Sequence, residues 1–161
     1  MPEISLNILD VAENSVRAEA SLVEITVSAQ PEKDTLTVVI KDDGCGMTPE
    51  QVSQVQDPFF TTRTTRKVGL GVPFFKQAAE STEGSFRIDS EKGKGTTVKA
   101  VFTLSHIDRM PLGDISSTIH TLIVFNEHID FRYTYEYADR GFTLDTREMR
   151  ELLGEDISFS E

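Results

Sequence analysis

A single cysteine in 161 residues leaves no internal disulfide possible and suits a reducing compartment. Long apolar runs are missing too: none approaches the roughly 20 residues that a membrane-spanning helix needs. The N-terminus carries no basic-then-apolar leader, so a cytoplasmic protein without a membrane partner is expected. Positive charge is scarce. Sixteen Lys and Arg against 27 Asp and Glu give a formal net charge of -11, which argues against nucleic-acid binding driven by phosphate neutralisation. The acidic excess is greatest after Leu104, where acidic residues outnumber basic ones by about two to one, a pattern suited to a solvated surface or a basic protein partner. Repeats and low-complexity linkers are absent as well. What remains is an ordinary globular composition, long enough for one domain over residues 1–161 with a real core.

Apolar spacing predicts a helix from about Ile4 to Ala18, with Ile4, Ile8, Val11 and Ala12 on one face. Strands are expected at Ser21–Ala29 and Leu36–Lys41, joined through Pro31–Asp34. Thr48 followed by Pro49 marks a helix start. Asp57–Lys67 has no period and is expected to be a loop. A helix follows Gly71 to about Ser81, then strands at Ser85–Ser90 and Thr96–Leu104. This order predicts an α+β fold: a two-layer sandwich of a mixed, mainly antiparallel sheet with helices on one face. Beyond Leu104, Asp114 is expected to cap a helix carrying Ile115, Ile119, Leu122 and Ile123. Ile129–Tyr137 and Phe142–Leu144 are expected to pair through Ala138–Gly141, and Thr146 to cap a last helix. The result is a helix–hairpin–helix extension over about 105–161.

Four segments concentrate polar residues and glycine at element ends. The first is LDVAENSVRAEA, on the opening helix, where Asp10 lies one turn before Asn14 and Glu13 adjoins it. In the second, DDGCGM, a strand runs directly into a glycine-bearing turn at Asp42, Gly44 and Gly46. The third, DPFFTTRTTRKVGLGVPFF, places Arg63, Arg66 and Lys67 before Gly69 and Gly71 at a helix start. The fourth is GKGTTV, with Gly95 and Thr96 at a hairpin turn. Each has an ordinary structural explanation by itself, as an amphipathic face, a strand-end turn, a basic surface loop or a hairpin turn. Their joint order and attachment to the right elements is what points to a common chemistry.

In that order the segments resemble the four boxes of the GHKL, or Bergerat-fold, ATPase superfamily, and most closely its histidine-kinase-like ATP-binding domains, here stand-alone. The resemblance covers about Ile4 to Thr103. It implies ATP and Mg²⁺ as ligands, with Asn14 coordinating the metal through its amide oxygen, a hard donor of the type Mg²⁺ prefers. Asp10 occupies the position of the general base that is glutamate in gyrase-like members, and Glu13 is a second candidate. Asp42 would accept from the adenine amino group, Gly44 and Gly46 would turn the backbone beneath the base, and Thr96 would support that site through Asp42 and water. Gly69 and Gly71 would flank the phosphates at a helix start. Arg63, Arg66 and Lys67 are the cations placed to meet the γ-phosphate. Lys67 stands where the family has the first glycine of its second glycine box. That replacement stiffens the lid or adds a phosphate contact.

The same family hosts kinases, hydrolases and switches. A self-contained histidine kinase places a helical hairpin with the phosphorylated histidine before this domain, and only a few residues precede the first helix here. The segment SHIDRMPLGDI resembles the kinase H-box at His106, Arg109, Pro111 and Leu112, with Ile107 where an acidic residue is usual; a loop histidine is the plainer alternative. His120 and His128 have no catalytic or metal-ligand spacing. Two functions stay open. One is a regulatory ATPase or protein kinase, resembling stand-alone anti-sigma-factor kinases and acting on a protein partner. The other is a non-catalytic switch in which ATP orders the lid and the acidic tail docks a partner. Homodimerisation is compatible with both.

Overall fold

A computed structural model describes residues 3–59 and 71–153. The first helix, α1 (Ile4–Arg17), buries Ile4, Ile8, Val11, Ala12 and Ser15 along one side. Strict alternation then gives β1 (Leu22–Gln30) and β2 (Thr35–Asp42) one apolar face each: Val23, Ile25, Val27 and Ala29 on the first, Leu36, Val38 and Ile40 on the second. The two strands pair antiparallel. Thr48 caps the short helix α2 (Pro49–Val55) through a reciprocal capping box with Gln51, with Pro49 at its start. Helix α3 (Gly71–Glu80) buries Val72, Phe75 and Ala79. The hairpin β3 (Ser85–Glu91) and β4 (Gly95–Thr103) joins the sheet through β4, antiparallel to β2. The Phe75 ring meets Phe86 edge-on at 6.1 Å and Phe102 at 5.9 Å, which fastens α3 to this hairpin.

Asp114 caps α4 (Ile115–Phe125) by accepting from the Ser117 N–H at 2.9 Å. The hairpin β5 (Asp130–Tyr137) and β6 (Arg140–Asp145) then forms as expected, through a tighter turn with Ala138 at φ 55°. It enters the main sheet, β5 running parallel to β1. Phe131 and Tyr133 stand opposite Val23 and Ile25 and so continue the buried rows of the first strands. The six-stranded sheet has the order β3-β4-β2-β1-β5-β6, with α1 packed between α3 and α4. One core cluster holds Ile4, Val38, Phe102, Leu122 and Phe131 together.

The cap of the last helix, α5 (Thr146–Leu153), differs from expectation. Asp145 accepts from the Arg147 N–H at 2.9 Å, and Arg147 returns a guanidinium hydrogen bond at 2.7 Å that holds the Asp145 carboxyl below its ordinary range. Thr146 is fully buried and turns inward instead. Its hydroxyl donates to Asp130 Oδ1 at 3.0 Å and accepts from the Phe131 N–H at 2.9 Å. Thr146→Val orphans that buried N–H, so a loss of about 1–3 kcal/mol is expected in chemical denaturation; a change within error would show that the hydroxyl bridge carries no load. Among the described residues, no helix is long and apolar enough to cross a membrane.

Candidate functional site

Strand register builds the site. Asp42 is the last residue of β2 and lies on the strand's buried face, opposite Val23 of β1 and Thr96 of β4. Thr96 in turn faces Ser90 of β3, and their hydroxyls are 2.8 Å apart. Asp42 is 9% exposed, and its carboxylate is held at both oxygens. Ser15 of α1 donates to Oδ2 at 2.6 Å and the Gly44 N–H donates to Oδ1 at 2.9 Å. Each oxygen retains a second lone pair, so a fixed acceptor points from the sheet end toward the space beside it.

The neighbouring Asp43 turns the other way and ties the loop to β1. Burial pushes its carboxyl up, but bonds from the Ser21 hydroxyl and the Ser21 and Leu22 N–H groups together pull it below the ordinary range. The glycines of this loop let it approach neighbouring backbone closely. At Gly44 an added Cβ would lie 2.8 Å from the Ala18 carbonyl oxygen, and the Cys45 N–H donates to that same oxygen at 3.0 Å. Gly46 has φ +70°, and its Cβ would lie 2.0 Å from the Glu91 carbonyl oxygen. The loop is thereby clamped between the end of α1 and the end of β3.

Between these parts lies a cavity of about 220 Å³. Its polar edge carries Asn14, Ser15, Arg17, Asp42 and Thr96, and its walls are apolar, with Ile40, Val98 and Ile88 from three adjacent strands. The volume is below the roughly 300–1,000 Å³ of pockets that enclose drug-sized ligands, which fits a planar base with the rest of its ligand outside. Asn14 sits on the rim, where the Arg17 guanidinium donates to its Oδ1. Asp10 lies one turn back on α1, exposed at its outer side and packed at its Cβ against the start of α3. A Cβ on Gly71 would come within 2.6 Å of the Asp10 Cβ. Burial pushes the Asp10 carboxyl above its ordinary range, and Arg17 partly draws it back.

The structure therefore gathers Asn14, Asp42, Gly46 and Thr96 around one cavity, with Gly44 anchoring Asp42 and with Asp10 and Gly71 touching at the far side of Asn14. Glu13 does not line the cavity. Arg63, Arg66, Lys67 and Gly69 lie outside the described residues. His106 accepts from the Asp108 N–H through Nδ1 at 3.0 Å. It follows the far end of β4, seven residues beyond Thr96, or about 23 Å along a strand. Sequence reasoning missed Ser15 as the partner of Asp42, and it missed the apolar walls. The walls had a signal: Ile40, Val98 and Ile88 are each two residues from Asp42, Thr96 and Ser90, hence on the same strand face.

Residues 3–106 match the family model described as histidine kinase-, DNA gyrase B-, and HSP90-like ATPase. Among curated proteins, a probable C4-dicarboxylate sensor kinase of Bacillus subtilis is 32% identical over 80 residues, covering 50% of this chain and 15% of that protein. Sporulation kinase C of the same species is 28% identical over 96 residues, covering 60% of this chain and 22% of the relative. The chain thus spans less than a quarter of these relatives' length. The solved N-terminal domain of a DNA repair protein superposes with a TM-score of 0.61 at 12% identity, covering 90% of this chain and 52% of that one. For the Aquifex aeolicus MutL ATPase domain complexed with ADP the values are 0.53, 17%, 96% and 68%. At these identities the two structures establish a shared fold.

Proposed function

Since this chain belongs to the histidine kinase-, DNA gyrase B-, and HSP90-like ATPase family, we propose that it binds ATP with Mg²⁺ beside Asp42 and works as a regulatory ATPase or protein kinase on a protein partner. The observation that carries this reading is the Asp42 carboxylate, held by Ser15 and Gly44 at the end of an apolar slot. An amino group on a flat base inserted between Ile40, Val98 and Met47 meets that acceptor; a carbonyl oxygen in its place would meet repulsion. Adenine is selected over guanine on that ground. The ADP in the MutL structure and the kinase names of the sequence relatives support the nucleotide class and the kinase branch.

Among the described residues, no three His, Cys, Asp or Glu side chains cluster to hold a metal by themselves. Mg²⁺ needs few protein ligands when phosphates supply the rest, and one amide oxygen on the rim suits that arrangement. Asn14 would hold the ion, whose charge neutralises the phosphates during transfer or hydrolysis. Asp10 is positioned on the same helix face and raised in pKa by burial, as suits a group that accepts a proton from an attacking water.

Incubation with radiolabelled ATP and Mg²⁺, following phosphate release and label on protein, tests the enzyme. Asp10→Asn is expected to lower phosphate release by about 100-fold or more with ATP binding retained. Label transferred to an added protein identifies the kinase. Tight binding with no turnover sinks the enzyme and leaves the switch, the reading favoured by Lys67 in place of the family's lid glycine.

A further inference from the structure

Among the described residues the sheet has two outer strands, β3 and β6, and they end it differently. An outer strand offers a row of unpaired N–H and C=O groups to any extended chain. Natural sheets block that row with charge, proline, a bulge or a covering element. β3 is blocked. It alternates Arg87, Asp89 and Glu91 along its exposed face, ties the first two at 2.8 Å, and is contacted by α2. Along its centre β6 has no such charge, proline or bulge. Its register with β5 runs unbroken from Arg140 to Asp145, and the exposed stretch Gly141-Phe142-Thr143 is uncharged. Phe142 stands opposite Tyr135, stacks on it at 6.1 Å and meets Tyr133 edge-on at 5.8 Å. Those contacts cover the ring from the β5 side, yet Phe142 remains 55% exposed. Its bare half lies where a side chain of the next strand would pack.

We propose that β6 is a dimerisation edge, on which β6 of a second copy pairs antiparallel about a two-fold axis through Phe142. The two sheets then become one, and the proposal stands independently of the nucleotide reading. Geometry fixes the register. In a two-residue hairpin the pair flanking the turn, here Tyr137 and Arg140, exchanges both backbone bonds. Alternation then turns the N–H and C=O of Gly141 and Thr143 outward. A two-fold pair must set these outward groups against each other. Of the centres that do so, Phe142 is the one that brings the two bare rings together, with Gly141 of each copy facing Thr143 of the other. Charge selects the occupant. The chain carries -11 overall, so a foreign partner drawn by charge would be basic. β6 offers it nothing, because Arg140 and Asp145 cancel and Arg147 already holds Asp145 at 2.7 Å. The same neutrality lets two acidic copies meet here through one self-complementary patch.

Sedimentation velocity of the full chain over a roughly hundredfold concentration range, reaching about 0.2 mM, tests the proposal. A six-residue ladder is a small interface, so a reversible dimer with a dissociation constant on the order of 10 µM is expected. Thr143→Pro removes an outward N–H and spares the β5 ladder, because an outer strand accepts proline where its N–H faces solvent. Each dimer then loses two backbone bonds, one per copy. The dissociation constant is expected to rise by about tenfold or more, with the melt of the dilute monomer little changed. Should the variant not fold, amide hydrogen exchange on the wild type decides. Gly141 and Thr143 must gain protection as concentration rises, while Arg140 and Phe142 are protected throughout. Four results overturn the proposal: growth beyond a dimer, a dimer indifferent to Thr143→Pro, protection at Gly141 and Thr143 that ignores concentration, or a wild type that stays monomeric. The last would leave the edge to a strand of another protein.

Discussion

Asp42→Asn is expected to weaken ATP binding by about 100-fold or more while the protein remains folded. The carboxylate serves three donors: the Ser15 hydroxyl, the Gly44 N–H and, on the proposed reading, the adenine amino group. An asparagine of the same shape has one acceptor oxygen, and its amide NH₂ must then face one of those donors. If the oxygen stays with Gly44, the NH₂ points at Ser15 and the base. Ser15 can rotate its hydroxyl to accept; the adenine amino group cannot. The penalty therefore falls on the ligand, and the melting temperature shifts by only a few degrees, as for about 1 kcal/mol lost. Equilibrium binding together with a thermal melt checks both parts. Unchanged affinity would remove Asp42 from the site and with it the basis for adenine selection.

Gly46→Ala is expected to cost stability as well as binding. Two independent penalties meet at this position. A positive φ of +70° costs a residue with Cβ about 1–2 kcal/mol. The new Cβ would also lie 2.0 Å from the Glu91 carbonyl oxygen, a backbone atom that ends a paired strand and cannot turn aside. The loop must lift away from β3, taking Cys45 and Met47 out of the cavity wall. A loss of about 3 kcal/mol or more, near 10 °C in a melt, and the disappearance of ATP binding are expected together. Gly93 is the control. It has φ +87° with nothing within 4 Å of an added Cβ, so Gly93→Ala carries the backbone strain alone and keeps the ligand. Equal losses at the two positions would contradict the close approach at Glu91.

Much of the site was legible because it depends on local periods. Asp10 and Asn14 share a helix face by spacing, and Asp42 shares a strand face with Ile40 by alternation. The caps at Thr48 and Asp114 follow the same local logic, since each side chain bonds an N–H three residues on. Thr146 shows where that logic stops. As a sequence feature it reads as a cap, but its burial under β5 gave its hydroxyl two stronger partners and left the capping to Asp145.

From the residues alone came the α+β class, the order of elements through the last helix, and the candidate atoms of the proposed nucleotide site: a carboxylate, an amide oxygen and glycine turns. Tertiary structure decided which of these meet. Ser15 reaches Asp42 across 27 positions of sequence, Gly46 packs on Glu91, and β5 lies parallel to β1, drawing the acidic tail into the sheet. The physical reason is register. A helical or strand period states which face a side chain occupies, but the partner it finds there is chosen by how sheet and helices pack over long separations, where a shift of one residue reverses every face.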